Sequence, residues 1–201
     1  MLGKEIWSII LAAGKSERMG SCKPLLTIAG TTFIEHLFTA FKDSDIGENL
    51  RIIIGFQAEK ILSSTSIPER FFILNENYEG GQLSSLKVGI EALKYLEPDG
   101  ILVHPVDHPL LKVITINALL QAFNEKEKLI VAPRYRGERG RPVIFSWKLI
   151  PEILLLSSDS KPRDIISRHQ EEMFLLDVDD EGILLGINTP EDYQKVLKNA
   201  Q

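Results

Sequence analysis

A loop rich in glycine and basic residues follows the first apolar segment of the chain. It spans residues 11–24 and reads Leu-Ala-Ala-Gly-Lys-Ser-Glu-Arg-Met-Gly-Ser-Cys-Lys-Pro. Three cations, Lys15, Arg18 and Lys23, lie within it against the single acid Glu17. Small residues let the backbone approach a ligand closely, and successive amide N–H groups can surround phosphate oxygens. The loop therefore predicts a polyphosphate site, with a solvated surface loop as the alternative.

The spacing of the glycines excludes two common phosphate-binding loops. A P-loop has four residues between its first glycine and a Gly-Lys-Ser/Thr triplet. Here five residues separate Gly14 from Gly20, and Ser21 follows directly. The dinucleotide fingerprint Gly-x-Gly-x-x-Gly is absent from the sequence. Any phosphate bound by this loop is held by a different arrangement of backbone amides.

A carboxylate suited to a divalent cation follows a later apolar segment. Asp107 comes directly after residues 101–106, a continuous apolar run typical of a buried strand. Mg²⁺ prefers one or two carboxylates plus phosphate oxygens and water. Asp107 is therefore a candidate magnesium ligand. The alternative is an aspartate that caps the turn before Pro109.

Two further segments carry groups suited to a nucleobase and to a second anion. Gly80 and Gly81 precede the hydroxyls of Ser84 and Ser85 at the predicted start of a helix, where hydroxyls and free amides suit a base edge. A simple helix cap is the alternative there. The other segment holds four arginines within eight residues: Arg134, Arg136, Arg139 and Arg141. Guanidinium groups match phosphate oxygens, so this segment is a candidate site for a second anion. The alternative is a charged loop that only contributes to solubility.

These segments resemble, in order, the motifs of MobA-like nucleotidyltransferases, and most of all the branch of molybdenum cofactor cytidylyltransferases. The first loop resembles the family signature Leu-Ala-Ala-Gly-x-Ser-x-Arg-Met-Gly-x-x-Lys position for position. Residues 106–109 resemble its Asp-x-Pro, residues 137–142 its Gly-x-Arg-Gly-His-Pro, and residues 186–193 its Asp-Ile-Asp-Thr-Pro-Glu-Asp-Tyr. The resemblance covers nearly the whole chain. Its remaining motif is an Asn…Gly…Ser-Ser…Gly segment, matched by Asn77, Gly81, Ser84, Ser85 and Gly89.

The resemblance implies a role for each matching position. Lys23 and Arg18 would stabilise charge on the phosphates during catalysis, Asp107 would hold Mg²⁺ with Asn188 as a second ligand, and Arg139 and Arg141 would face the acceptor. Two positions depart from the family pattern: Asn188 stands where cytidylyltransferases have Asp, and Arg141 where the family usually has His. The residues expected to bind the nucleotide are Leu11, Ala12, Ala13, Gly14, Lys23, Gly81, Ser84, Ser85 and Asp107.

The implied activity is transfer of a nucleoside monophosphate from a nucleoside triphosphate to a phosphorylated acceptor. A molybdopterin-type cofactor is the expected acceptor, with a target oxidoreductase as a possible recipient of the product. Guanylyl-specific relatives have Leu-Ala-Gly-Gly in this loop, and Ala13, which stands in place of the first glycine of that pair, favours CTP over GTP. The alternatives are a guanylyltransferase, an enzyme acting on a sugar or polyol phosphate, and a non-catalytic nucleotide- or cofactor-binding chaperone.

Strands and helices alternate through the first two thirds of the chain. Short β-branched runs predict buried strands, and apolar residues at helical spacing lie between them. This alternation predicts an α/β fold: a Rossmann-like three-layer sandwich with a mostly parallel sheet and helices on both faces. The resemblance makes it similar to nucleotide-diphospho-sugar transferases and implies one domain over residues 1–201. The predicted strands are residues 7–11, 51–56, 70–74, 101–106 and 129–132, and the helices begin near Thr32, Leu83 and Ile114.

The last third is less regular. We expect a strand at residues 143–145, helices at 149–156 and 161–169, and a final helix that Thr189 caps. Residues 174–178 and 183–187 flank an acidic turn that ends in Gly182, which predicts a hairpin. In that interpretation Asp177, Asp179 and Asp180 belong to a solvated turn.

Composition limits the remaining classes of function. The chain has 201 residues, with 23 Lys and Arg against 28 Asp and Glu, which gives a net charge of −5 and disfavours a nucleic-acid partner. No apolar run reaches the length of a membrane span, so we expect a cytoplasmic protein with no membrane partner. The single cysteine excludes an intrachain disulfide and a cysteine-based zinc site. His104 and His108 are not expected to bind zinc together, because Pro105 and Pro109 break any helix that would align them.

Overall fold

The computed structural model of the chain describes residues 3–199, and its centre is a twisted β-sheet of eight strands. Seven strands follow the order β10-β7-β9-β6-β1-β4-β5, and β8 pairs with β7 outside this path. A short hairpin, β2 with β3, lies apart from the sheet. The strands are β1 Ile6–Leu11, β2 Thr27–Ile28, β3 Thr31–Thr32, β4 Leu50–Ile54, β5 Phe72–Leu74, β6 Gly100–Pro105, β7 Ile130–Tyr135, β8 Glu138–Arg139, β9 Val143–Ser146 and β10 Met173–Asp177.

Seven helices cover the two faces of this sheet. They are α1 Phe33–Lys42, α2 Ala58–Ser64, α3 Gly81–Leu93, α4 Val113–Glu125, α5 Ile150–Leu155, α6 Pro162–Arg168 and α7 Pro190–Asn199. Side chains of α1, α2, α4 and α7 pack in one core, and those of α3, α5 and α6 pack in the other. Consecutive residues of β1 contribute to opposite cores, as the two-residue period of a strand requires. The structure thus confirms the predicted three-layer α/β sandwich.

Most neighbouring strands are parallel, with β9 as the main exception. β1 pairs in parallel with β4 and β6, β4 with β5, and β7 with β10. β9 lies antiparallel between β6 and β7. This orientation is possible because β8 and a tight return after Arg139 bring the chain back beside β7. The sequence predicted a strand here but not its direction.

The predicted hairpin between residues 174–178 and 183–187 is wrong. β10 pairs with β7 instead, and residues 181–183 form one turn of 3-10 helix. The reason is Asp180, which is 1% exposed rather than solvated. Its Oδ2 accepts hydrogen bonds from Lys112 N at 3.0 Å and Thr115 Oγ1 at 2.7 Å. These bonds draw the chain beneath the start of α4, so it cannot return along β10.

The same contact explains an error in the predicted face of α4. The sequence placed Ile114 on the buried side, but it is 74% exposed. Thr115 is buried because it reaches Asp180, and this rotates Ile114 outward. The buried positions of α4 still follow helical spacing, and they are Thr115, Ile116, Leu119, Leu120, Ala122 and Phe123.

Local signals fix other elements as expected. Thr32 caps α1 with Glu35 in a reciprocal capping box.

His169 joins α5 to the segment before β10. One of its ring nitrogens lies 2.6 Å from the carboxylate of Glu152, and the other lies 2.6 Å from the carboxylate of Glu172. Over residues 3–199, every helix is too short or too polar to cross a bilayer.

Candidate nucleotide-binding and catalytic site

A cleft of about 580 Å³ opens beyond the carboxyl ends of β1 and β6. These strands are parallel neighbours with Leu11 opposite Pro105, so the segments that follow them emerge side by side. Val106 N donates to Leu11 O at 3.0 Å and extends this pairing into the cleft. The cleft is lined by residues 11–18, Lys23, Pro24, Tyr78, Glu79, Gly81, Gln82, Ser85, residues 105–107 and Asn188.

Two cations of the first loop converge on one amide oxygen. Lys23 Nζ lies 3.0 Å from Asn188 Oδ1, and Arg18 Nη2 lies 3.3 Å from the same atom. Lys23 Nζ is also 3.7 Å from Asp107 Oδ2. Lys23 is 8% exposed, and this burial lowers the pKa of its ammonium group, although Asp107 opposes the shift. The loop thus holds a largely dehydrated ammonium group at the floor of the cleft.

Asp107 is held from both its side chain and its backbone. His108 Nδ1 lies 2.8 Å from Asp107 Oδ1, and Ile187 N donates to Asp107 O at 2.8 Å. Burial alone would raise the pKa of Asp107. The hydrogen bond from His108 and the nearby charge of Lys23 outweigh burial and hold that pKa below its ordinary value. Asp107 is therefore a carboxylate that stays ionised in a site with little water.

The wall expected to read the base is organised by Asn75, which sequence reasoning missed. Asn75 is 1% exposed, and its Nδ2 donates to Ser84 Oγ and Ser85 Oγ, each at 3.0 Å. Its Oδ1 accepts from Asn77 N at 3.0 Å. Asn77, the residue chosen from the sequence, contributes only its backbone to this network. The available signal was the position of Asn75 directly after β5, at the same sheet edge as the first loop.

The two serines differ in access to the cleft. α3 begins at Gly81, so both hydroxyls lie in the second turn rather than at the helix start. Ser85 lines the cleft, whereas Ser84 does not belong to the lining. Ser84 Oγ lies 2.8 Å from Asn77 O and 2.9 Å from Gly81 O, so its hydrogen is used internally. Gly81, whose φ is +75°, places the first amides of α3 at the cleft.

An ion pair crosses from the first loop to the segment before α3. Lys15 Nζ and Glu79 Oε1 lie 2.5 Å apart, and both side chains line the cleft. The hydrogen bond with Glu79 and its charge raise the pKa of Lys15. Because both groups are solvated, the pair contributes little to stability. It does engage Lys15, which leaves Arg18 and Lys23 as the loop cations that contact Asn188.

The four arginines of the second cationic segment have different surroundings. Arg134 makes a two-pronged contact with Asp177, with Nε–Oδ1 and Nη2–Oδ2 distances of 2.7 Å. Arg136 lies over the Tyr135 ring. Arg139 is exposed, with Nη1 3.9 Å from Met173 Sδ.

The pKa of Arg141, in the same segment, is affected by the charge of Asp107. Within residues 3–199 its guanidinium group has no hydrogen-bond or ion-pair partner, although it is half-buried. Burial and the charge of Arg139 lower the pKa of Arg141, while the charge of Asp107 opposes them. The guanidinium group is thus close enough to Asp107 for the two charges to interact. Neither Arg139 nor Arg141 lines the cleft itself.

The donor set near Asp107 suits a metal that arrives with phosphates. No group of three or more His, Cys, Asp or Glu side chains within residues 3–199 is arranged as a metal cage. Mg²⁺ needs only one or two protein carboxylates when phosphate oxygens complete its shell, and Asp107 can supply one. Asn188 Oδ1 already accepts from Lys23 and Arg18, and an amide oxygen has two lone pairs. Asn188 could therefore coordinate a metal only after releasing one of those cations.

Residues 8–173 match the sequence model of the MobA-like NTP transferase domain. The chain belongs to this family. It is 26% identical to PucB, a purine catabolism protein of Bacillus subtilis, across 94% of this chain and 95% of PucB. The match to the family model confirms the resemblance to MobA-like nucleotidyltransferases drawn from the motifs.

Solved structures show the same fold. Rv0371c of Mycobacterium tuberculosis superposes with a TM-score of 0.83 at 23% identity, covering 98% of this chain and all of Rv0371c. Molybdopterin-guanine dinucleotide biosynthesis protein A of Archaeoglobus fulgidus gives a TM-score of 0.69 at 17% identity, covering 96% of this chain and 97% of that protein. At these identities the likeness concerns the fold alone. The position of the cleft beyond β1 and β6 follows from the structure of this chain itself and not from these proteins.

Proposed function

We propose that this nucleotidyltransferase moves CMP from CTP to a phosphorylated acceptor, a molybdopterin-type cofactor, and releases pyrophosphate. One observation carries the proposal. Lys23 carries a buried ammonium group that lies between Asp107 and Asn188, at the floor of the cleft lined by the segments that follow β1 and β6. A charge that is costly to bury suits a site where anionic oxygens arrive with the substrate.

The reaction needs positioning and charge stabilisation rather than a protein nucleophile. A phosphate oxygen of the acceptor attacks the α-phosphorus, and the bond from that phosphorus to the bridging oxygen of the β-phosphate breaks. The electron pair leaves with pyrophosphate. Backbone amides near Gly14 and the cations Lys23 and Arg18 would stabilise the negative charge that develops on the phosphate oxygens.

Asp107 would hold Mg²⁺, and Asn188 would add its amide oxygen once the triphosphate has drawn Lys23 or Arg18 away. When bound, Mg²⁺ neutralises phosphate charge and polarises the phosphoryl oxygens. Asp107 supports this role because it stays ionised, with Oδ1 engaged by His108 and Oδ2 directed to Lys23. The uncharged Asn188 makes Asp107 the dominant protein charge for the metal.

The nucleobase would lie against the start of α3. Ser85 and Gly81 line the cleft there, and the small side chains of Ala12 and Ala13 belong to the same lining. We favour CTP over GTP, with GTP as the principal alternative. The reason to test GTP is the structurally similar protein from Archaeoglobus fulgidus, whose name refers to a guanine dinucleotide.

The acceptor would meet Arg139 and Arg141. Arg134 is paired with Asp177 and Arg136 lies over Tyr135. Within residues 3–199, Arg139 and Arg141 are therefore the arginines of the segment that contact neither an acid nor an aromatic ring. Arg141 in particular is half-buried, which lowers its pKa, and the charge of Asp107 opposes that shift. A sugar or polyol phosphate could use the same cations, and it is the second acceptor class to test.

The decisive experiment measures pyrophosphate release with each of the four nucleoside triphosphates and Mg²⁺. Each reaction is run without acceptor, with molybdenum cofactor or its precursor, and with a panel of sugar and polyol phosphates. Pyrophosphate release only when CTP and the cofactor are both present supports the proposal. Release with GTP would change the proposed nucleotide, and release with a sugar phosphate would change the proposed acceptor. Tight nucleotide binding without turnover on any acceptor would favour a binding chaperone.

Asp107→Ala tests the metal assignment within the same assay. We expect it to abolish metal-dependent turnover, whereas the control Asp159→Ala, an exposed aspartate outside the cleft, should retain it. Near-normal turnover in Asp107→Ala would refute the assignment. Melting temperatures of both variants separate loss of chemistry from loss of folding.

A further inference from the structure

His108 lies behind Asp107 and does not line the cleft. Its Nδ1 is 2.8 Å from Asp107 Oδ1, and both side chains are largely buried, at 16% and 17% exposure. A carboxylate oxygen can only accept a hydrogen bond, so Nδ1 carries the hydrogen. This contact engages one oxygen of Asp107 and leaves Oδ2 on the side of Lys23.

The backbone and ring of His108 are themselves fixed. The fully buried His104 donates from Nε2 to His108 O at 2.9 Å. The ring packs against Gly186, where an added Cβ would lie 3.0 Å from His108 Cε1 and 3.1 Å from Nε2. At that spacing a side chain at position 186 would force the ring to move.

His108 thereby connects the two segments that carry the candidate metal ligands. Gly186 is two residues before Asn188, and Ile187 N donates to Asp107 O. The imidazole thus contacts Asp107, which follows β6, and Gly186, which begins the segment 186–188. A change in the ring position would therefore alter the orientation of the Asp107 carboxylate and its spacing from Asn188 together.

We propose that His108 is a positioning residue that orients the Asp107 carboxylate for a divalent cation and links it to the segment of Asn188. The inference rests on the proposed function of Asp107. The last torsion of an aspartate side chain is broad and roughly two-fold, so an unrestrained carboxylate samples many orientations. The Nδ1–H bond removes that freedom before the metal binds, and the two atoms Oδ1 and Oδ2 become inequivalent. Groups that orient a metal ligand in this way commonly change metal affinity by about 10–100-fold when they are lost.

The test measures Mn²⁺ binding directly, by electron paramagnetic resonance of free Mn²⁺, with CTP or GTP present and no acceptor. His108→Phe removes the donor and should weaken Mn²⁺ binding by about tenfold or more. His108→Asn places an amide N–H close to the former Nδ1 and should restore most of the affinity. The control His36→Phe alters a histidine whose Nε2 contacts Ile28 O outside the cleft, and it should bind Mn²⁺ like the wild type.

Gly186→Ala keeps the imidazole but displaces it, together with the Asn188 amide, since the added Cβ would lie 3.3 Å from Asn188 Nδ2. We expect weaker Mn²⁺ binding, and an unchanged affinity in this variant would contradict the link to residues 186–188. Wild-type affinity in a folded His108→Phe, or equal loss in His108→Phe and His108→Asn, would overturn the positioning role. If His108→Phe does not fold, the Asn and Gly186 variants decide the result. Asp107→Asn separates the two proposals. If it also binds Mn²⁺ normally, the metal assignment fails, and if it alone loses binding, only the role of His108 fails.

Discussion

The buried imidazole of His104 predicts a specific loss of stability in mild acid. His104 is fully buried, its Nε2 donates to His108 O, and its Nδ1 has no hydrogen-bond partner within the described residues 3–199. Burial, reinforced by the neighbouring His108, lowers the pKa of His104 to about 3. Protonating it would place a second N–H, with a positive charge, in a space that offers no acceptor.

The sign and size of the effect follow from proton linkage. In the unfolded chain a histidine titrates near pH 6.5, so the unfolded state gains a proton below that pH while the folded state does not. The folded pKa of His104 is depressed, and its full contribution to stability is therefore present above about pH 6.5 and lost as pH falls towards 3. One such group lowers the free energy of unfolding by about 0.8 kcal/mol at pH 6 and about 2 kcal/mol at pH 5, relative to pH 8. The value at pH 5 hardly depends on the folded pKa, provided that it lies below about 4.

Urea unfolding at pH 8, 6 and 5 measures this loss in the wild type and in His104→Gln. Glutamine keeps an N–H donor for His108 O but does not titrate. We expect the wild type to lose about 2 kcal/mol more than the variant between pH 8 and 5. The remaining histidines are common to both proteins and cancel in the comparison. Parallel pH profiles would refute the reasoning, because they would show that burial of His104 does not exclude its proton.

Three further substitutions test the site and the packing around it. Lys23→Met should reduce nucleotidyl transfer by about 10²–10³-fold without lowering the melting temperature, since burial already disfavours the charge of Lys23; a parallel fall in both would show a structural role. The carboxylates of Glu172 and Glu152 raise the pKa of His169, so the stability it adds is full below about pH 6.5 and lost as pH rises through the folded pKa. The free-energy gap between wild type and His169→Gln should therefore narrow from pH 6 to 9 in urea unfolding, and a constant gap would contradict this. Gly89→Ala should destabilise by about 1–3 kcal/mol in thermal unfolding, because its Cβ would lie 2.8 Å from a side-chain carbon of β1. A gain of stability, as Ala normally gives within helices, would show that α3 can shift.

Features encoded by neighbouring residues were predictable from the sequence. The first loop needed only its own small and basic residues and the strand before it. Thr32 and the spacing of the apolar residues after it predicted α1, and the observed cap and buried face of this helix agree with that prediction. The meeting of the first loop with Asp107 followed from a general rule, that carboxyl ends of parallel strands share one edge. These inferences use a few adjacent positions or a rule that holds for all such sheets.

Features that depend on one long-range polar contact were not predictable. Asp180 reaches Thr115 across 65 positions, and this contact removed the expected hairpin and turned Ile114 outward. Its neighbour in sequence, Asp179, is exposed, and composition gave no reason to separate the two aspartates. The internal use of the Ser84 hydroxyl likewise depends on Asn75, nine positions away at the end of another element. Spacing within a helix or strand carries no information about such partners.

Net charge illustrates how pairing, rather than number, decides where an anion can bind. The chain is acidic overall at −5, and one cation of each basic segment, Lys15 in the first loop and Arg134 in the second, is already paired with an acid. Arg141 differs, since it is half-buried without such a partner within residues 3–199. Burying a cation without a counter-ion reduces stability, and the charge of Asp107 offsets that cost for Arg141 only in part. An anionic acceptor, as we propose, would offset that cost only when it binds. Replacing Arg141 should therefore impair acceptor use before it impairs folding.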